Sequence, residues 1–278
     1  MIANVNEKGR QTKLLAAIAV LAMVICAFAV VIPSDISAAV GEEYTLEDGP
    51  VSVIDKDGNV VNGADGKPIS TLGNALAQTS YAGQTWTLSA GTYNVTGGDI
   101  TSNYSALVIK QDGLTIQGAG IGQTTITNDK MTGSNAYTTG SDVTANQQAT
   151  IVVDANNVTI KNVSVENTMI PQNEGYKCME VFGSNTTIDT VSFELNSSAA
   201  DDTTATSGVL INSTTDIGDT TITGCIFNNG LINIGYLNAT GTLSIVDTVM
   251  NVESQGGFGI STYNPNEGSN NDAALDIT

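Results

Sequence analysis

Short apolar runs of three or four residues recur along this chain, each closed by a polar corner. Four segments, residues 157–165, 186–193, 220–227 and 242–250, align without gaps around an isoleucine: Ile160, Ile188, Ile222 and Ile245. Three positions on stand Val163, Val191, Cys225 and Thr248, and five positions on stand Val165, Phe193, Phe227 and Met250. Between the isoleucine and the third position lies a two-residue polar turn, such as Lys161-Asn162 or Thr223-Gly224. A further short apolar strand precedes each segment, at residues 150–153, 179–182, 209–211 and 231–234. Residues 106–109 and 114–116 form an earlier copy, and residues 259–261 and 274–277 a later one.

The isoleucine repeats at intervals of 28, 34 and 23 residues from Ile160 to Ile245, so a coil of fixed size carries insertions of variable length. Alternation along each strand sends one side chain inward and the next outward. Stacking the coils then buries the inward Ile, Val and Phe in continuous ladders, which is how solenoids acquire a core. With three short strands per coil, the expected fold is all-β, a parallel β-helix.

The segment from Ile69 to Gln78, then Trp86, Gly91-Thr-Tyr93 and Leu114-Thr-Ile-Gln-Gly-Ala-Gly120, resembles the N-terminal end of the pectate-lyase-like superfamily of right-handed parallel β-helices. That resemblance implies a right-handed solenoid over residues 69–278, with a helix plugging its first coil. Leu72, Ala75 and Leu76 share one face at helical spacing and suit such a plug, with Trp86 and Tyr93 packed beneath. Residues 40–68 are expected to form a short hairpin and linker with a turn at Asp57-Gly58. The triplet Asp55, Asp57 and Asn59 lacks the glycine and twelfth-position acid of an EF-hand loop. Strand-like residues run up to Thr278, which suggests truncation of a longer protein.

Residues 14–32 are nineteen apolar residues without a charge, preceded by Lys8, Arg10 and Lys13 and followed by Ser37-Ala38-Ala39. This marks residues 1–39 as a secretory signal peptide or, if uncleaved, an N-terminal membrane anchor, the chain's sole expected membrane contact. The expected location is secreted or cell-surface.

Charge narrows the function. The chain has 28 acidic and 9 basic residues, no histidine, and Arg10 as its single arginine, for a net charge of −19. No lysine or arginine follows Lys177. Such a chain is not expected to bind nucleic acid, which needs dense cations. Histidine catalysis and imidazole-bound metals are excluded outright. The pectate-lyase-like resemblance implies lyases that use an Arg or Lys base near Ca²⁺-binding acids, or hydrolases that combine aspartates with His and Arg-x-Lys motifs. Residues 40–278 contain no arginine, and the chain has no histidine and no Arg-x-Lys motif, so the expectation is a non-catalytic, adhesin-like β-helix that contacts carbohydrate or cell-envelope partners through corner loops. The alternatives are a polysaccharide lyase or glycoside hydrolase acting on anionic polysaccharide, with Asp201 and Asp202 as the candidate carboxylates, and a structural cell-envelope protein. Tyr137 and Tyr176 are candidates for stacking on sugar. Glu174, Asp201, Asp202, Asp216 and Asp219 are candidate Ca²⁺ ligands; no other cofactor is expected. Cys178 and Cys225 occupy different strand slots and are expected to be buried thiols.

Overall fold

The computed structural model describes residues 42–95, 106–128, 137–138, 144–145, 148–168, 176–195, 207–211, 216–228, 232–235, 240–251, 260–263 and 274–277. The chain divides into two units, Met1–Ser37 and Ala38–Thr278, and every described residue belongs to the second. The leader therefore lies outside the described residues. Among the described residues no helix is long and apolar enough to cross a membrane.

The repeat becomes a parallel β-helix. The isoleucine strands stack in register across successive coils, placing Trp86, Ile116, Ile160, Ile188, Ile222 and Ile245 in one inward file. A second file runs Tyr93, Ile126, Val165, Phe193, Phe227 and Met250. Phe193 and Phe227 stack with ring centroids 4.7 Å apart. A separate six-stranded parallel sheet closes the coil from the other side, with Leu107, Ile151, Met179, Val209 and Ile232 facing the same core. These side chains are buried, apart from Met250, which packs half-buried against the core. Each contributes about 1.5–3 kcal/mol on leaving water, so the ladder stabilises the coil through many equal steps.

The polar turn within the repeat is tighter than its sequence suggests. The strands Thr159–Asn167 and Thr187–Leu195 each run through it without a break. The bend is made by one left-handed residue per coil, two positions after the isoleucine: Asn162, Thr190, Gly224 and Asp247, with φ of 56°, 57°, 60° and 48°. The side chains after this kink lie on a different outer facet from those before it.

At the N-terminal end, Leu72–Leu76 is helical, capped by the Thr71 hydroxyl accepting from the Asn74 N–H. Its Leu72 and Ala75 are buried in the core with Trp86 and Tyr93. Val51–Ile54 runs antiparallel to Thr85–Leu88, and Ile54 also bridges Val60 across the Asp55–Asn59 turn. In that turn Asp55 accepts from the N–H groups of Asp57 and Asn59 and from the Asn59 amide. Cys178 and Cys225 are buried free thiols.

Candidate active site

Beyond the kink, inward and outward positions alternate. Ile126, Val165, Phe193 and Phe227 point into the core. The next residue on each strand therefore points out, and the pairing sets these residues in one file along the coil axis: Asn94, Thr127, Glu166, Glu194, Asn228 and Asn251. Two glutamates thus occupy adjacent coils in exact register, separated by the strand spacing of about 4.8 Å.

Their surroundings differ. Glu194 is exposed, whereas Glu166 is partly buried. Burial, and then the negative charge of Glu194, push the Glu166 carboxyl above the usual glutamate range. On the far side of Glu166, Thr127 is only 8% exposed, and its Oγ1 has no hydrogen-bond partner among the described residues. A buried hydroxyl without a partner is costly unless something supplies one. On the far side of Glu194 the file ends in amides, with Asn251 Nδ2 donating to Asn228 Oδ1 at 2.9 Å. The parallel outward file on this facet holds Thr92, Thr125, Ser164, Ser192, Ile226 and Val249. Two carboxyls in unlike surroundings, one of them raised by burial, are the arrangement that two-carboxylate catalysis uses to give its groups different roles.

The residues singled out from sequence fall elsewhere. Glu174, Asp201 and Asp202 lie outside the described residues. Tyr137 opens a two-residue strand paired with Thr144–Ala145, and Tyr176 opens the strand Tyr176–Val181; their side chains lie outside the description. Asp216 and Asp219 are exposed on Asp216–Thr223, where the Asp216 Oδ1 accepts from the Gly218 N–H and the Asp219 N–H donates to Asn185 Oδ1. Among the described residues no three acids, cysteines or histidines gather as a metal site. Glu166 and Glu194 escape the sequence reading because the hydrophobic pattern of the repeat stops at the fifth position after the isoleucine. One position further, the four coils read Glu, Glu, Asn, Asn, a polar file that the same alignment contains.

No protein family matches the sequence, and no curated protein shows significant similarity to it. Solved structures do show a likeness in fold. One is pectin methylesterase in complex with hexasaccharide VII, with 12% identity and a TM-score of 0.39 over 77% of this chain and 79% of that one. Another is a mutant of pectin methylesterase in complex with hexasaccharide IV, with 14% identity and the same TM-score of 0.39 over 78% of each chain. These neighbours are enzymes that hold oligosaccharide. Among these neighbours the polysaccharide-active alternative has counterparts and the non-catalytic, adhesin-like expectation has none. The likeness at this identity is one of fold, and any chemistry must be argued from the site itself.

Proposed function

We propose that this chain is a polysaccharide-active enzyme, a glycoside hydrolase, with Glu166 and Glu194 as its working pair. The observation that carries this reading is the in-register stacking of two carboxyls in unlike surroundings, beside the unpartnered Thr127 hydroxyl. In this reading Glu166, protonated, gives its proton to the glycosidic oxygen while Glu194 attacks the anomeric carbon. The leaving sugar departs with that proton, and a glycosyl ester forms on Glu194. Glu166, now a carboxylate, takes a proton from water, whose oxygen displaces Glu194. The paired backbones stand about 4.8 Å apart, and carboxyls held at about 5 Å would favour this two-step route with retention of configuration, whereas about 6.5–9.5 Å would admit a water and invert it. The basic start and apolar run of residues 8–32 support export to the cell surface or medium.

The test is release of reducing sugar from a panel of plant and microbial polysaccharides by the wild type, Glu166→Gln and Glu194→Gln. Each substitution is expected to cost on the order of 10²–10⁴-fold in rate while the circular dichroism spectrum stays unchanged. Proton NMR of the first product should show the anomer of the substrate. Absence of turnover on every glycan, or turnover that survives both substitutions, removes the hydrolase reading.

A further inference from the structure

The facet that carries Glu166 and Glu194 has an unusual charge pattern. Its two outward files comprise Asn94, Thr127, Glu166, Glu194, Asn228 and Asn251 in one, and Thr, Ser, Ile226 and Val249 in the other. No lysine or arginine stands in either file. Lys161 belongs to the preceding facet, on the other side of the Asn162 kink, where it pairs in register with Asp189. The insertions that follow this facet in sequence, residues 129–147, 169–175 and 196–206, contain one cation, Lys130, against Asp129, Asp142, Glu174, Asp201 and Asp202.

A polymer bearing a carboxylate or sulfate on each sugar would bring a negative charge alongside every coil it crossed. Here it would meet Glu166 and Glu194 and no lysine or arginine, in a chain whose residues after Lys177 carry only negative charge. The groups the facet does offer are amides and hydroxyls. Amides both donate and accept, as sugar hydroxyls do. The Thr127 hydroxyl is more than nine-tenths buried, faces this file next to Glu166 and has no partner among the described residues. A neutral hydroxyl from a ligand would complete it.

We infer that the Glu166–Glu194 facet takes an uncharged glycan in preference to polyuronates and sulfated glycans, because its described residues present carboxyls, amides and hydroxyls and no lysine or arginine. The inference rests on the hydrolase reading for the identity of the site, and it departs from the anionic polysaccharide expected from the sequence. The Asn228 and Asn251 amides set this choice, since they occupy the positions where a polyanion-binding surface would carry lysine or arginine.

Affinity electrophoresis of the full chain at low ionic strength tests it, with Glu194→Gln included so that binding is read without turnover. The gels contain dextran, galactomannan, mixed-linkage β-glucan or xylan as uncharged probes, and polygalacturonate or alginate as anionic ones, each with Ca²⁺ or EDTA. At least one uncharged polymer should retard migration, and neither polyanion should. The double substitution Asn228→Lys with Asn251→Lys should raise affinity for the polyanions on the order of tenfold, and 0.3 M NaCl should abolish that gain. Retardation of the wild type by a polyanion as strong as by any uncharged polymer, with Ca²⁺ or without it, overturns the inference. So does failure of every uncharged polymer to bind. Binding of an uncharged polymer without turnover by the wild type would sink the hydrolase reading and leave this one standing. Turnover of a polyanion would do the reverse.

Discussion

Lys177 and Glu180 place two charges on one strand with neither side chain exposed. Their in-register neighbours are Ala149 and Val152, which with Ala106 and Val108 form an apolar cluster apart from the main core. Burial pulls the Lys177 ammonium below the usual lysine range, and the charge of Glu180 opposes that pull. A buried pair of this kind seldom adds net stability, yet removing one partner leaves the other uncompensated. Glu180→Gln is therefore expected to cost about 3 kcal/mol at pH 7, whereas Lys177→Met with Glu180→Leu should stay within about 1 kcal/mol of the wild type. The pH dependence has a definite sign. With Glu180 neutralised, the Lys177 value falls further below its unfolded value of 10.5. Between those two values the unfolded chain binds the extra proton, so folding stability rises with pH. The Glu180→Gln defect should shrink between pH 7 and pH 9.5 in urea titrations; a defect that is constant or grows would show that Lys177 is not the group left stranded. Nothing in the sequence marks this pair. Charged residues at outward strand positions are ordinarily solvated, and only tertiary packing buries these two.

At the scale of the strand, the repeat was legible because its core file is chemically uniform. Isoleucine recurs where the register stacks it, and Val165, Phe193 and Phe227 follow at the fifth position. The corner was less legible because four different residues, Asn162, Thr190, Gly224 and Asp247, fill the same left-handed slot. Polarity suggested a turn of two residues, while the backbone needs only one residue at positive φ to bend a continuous strand. Asn, Asp and Gly tolerate that conformation, but a β-branched side chain does not. Thr190 is accordingly the strained member of the file, partly offset by its hydroxyl donating to Asp189 Oδ1 at 2.8 Å. Thr190→Gly should relieve the strain and Gly224→Thr should introduce it, each by about 1 kcal/mol and with opposite sign. For a domain of this size that is a shift of about 2–4 °C in melting temperature, upward for the first and downward for the second. Melting temperatures that move the same way in both variants would mean that the bend is set by packing rather than by local backbone preference. The glutamate pair belongs to this scale too, since it is a file of the same repeat, and it was hidden only because an outward file carries no hydrophobic signal.

For the whole molecule, stacking coils in register stacks their charges as well. Adjacent coils lie about 4.8 Å apart, so any acid repeated along a file sits well within reach of its neighbour. With a net charge of −19 there are too few cations to interleave, and the pairs Lys56–Asp57 and Lys67–Asp65 are exposed and contribute little. Repulsion should therefore outweigh attraction across the surface as a whole. At 10 mM ionic strength the screening length is about 30 Å, long enough for charges on many coils to act together. At 0.1 M it is about 10 Å, and each charge feels little beyond the adjacent coils. Raising NaCl from 10 mM to 0.2 M should thus raise the melting temperature by about 2–5 °C and then level off, because the remaining close pairs are poorly screened. The plateau separates this effect from strengthened hydrophobic burial, which would keep growing with salt and would be larger in sulfate than in chloride. A melting temperature that falls as NaCl is added would show that specific ion pairs, rather than the acid excess, govern the surface energy of this solenoid.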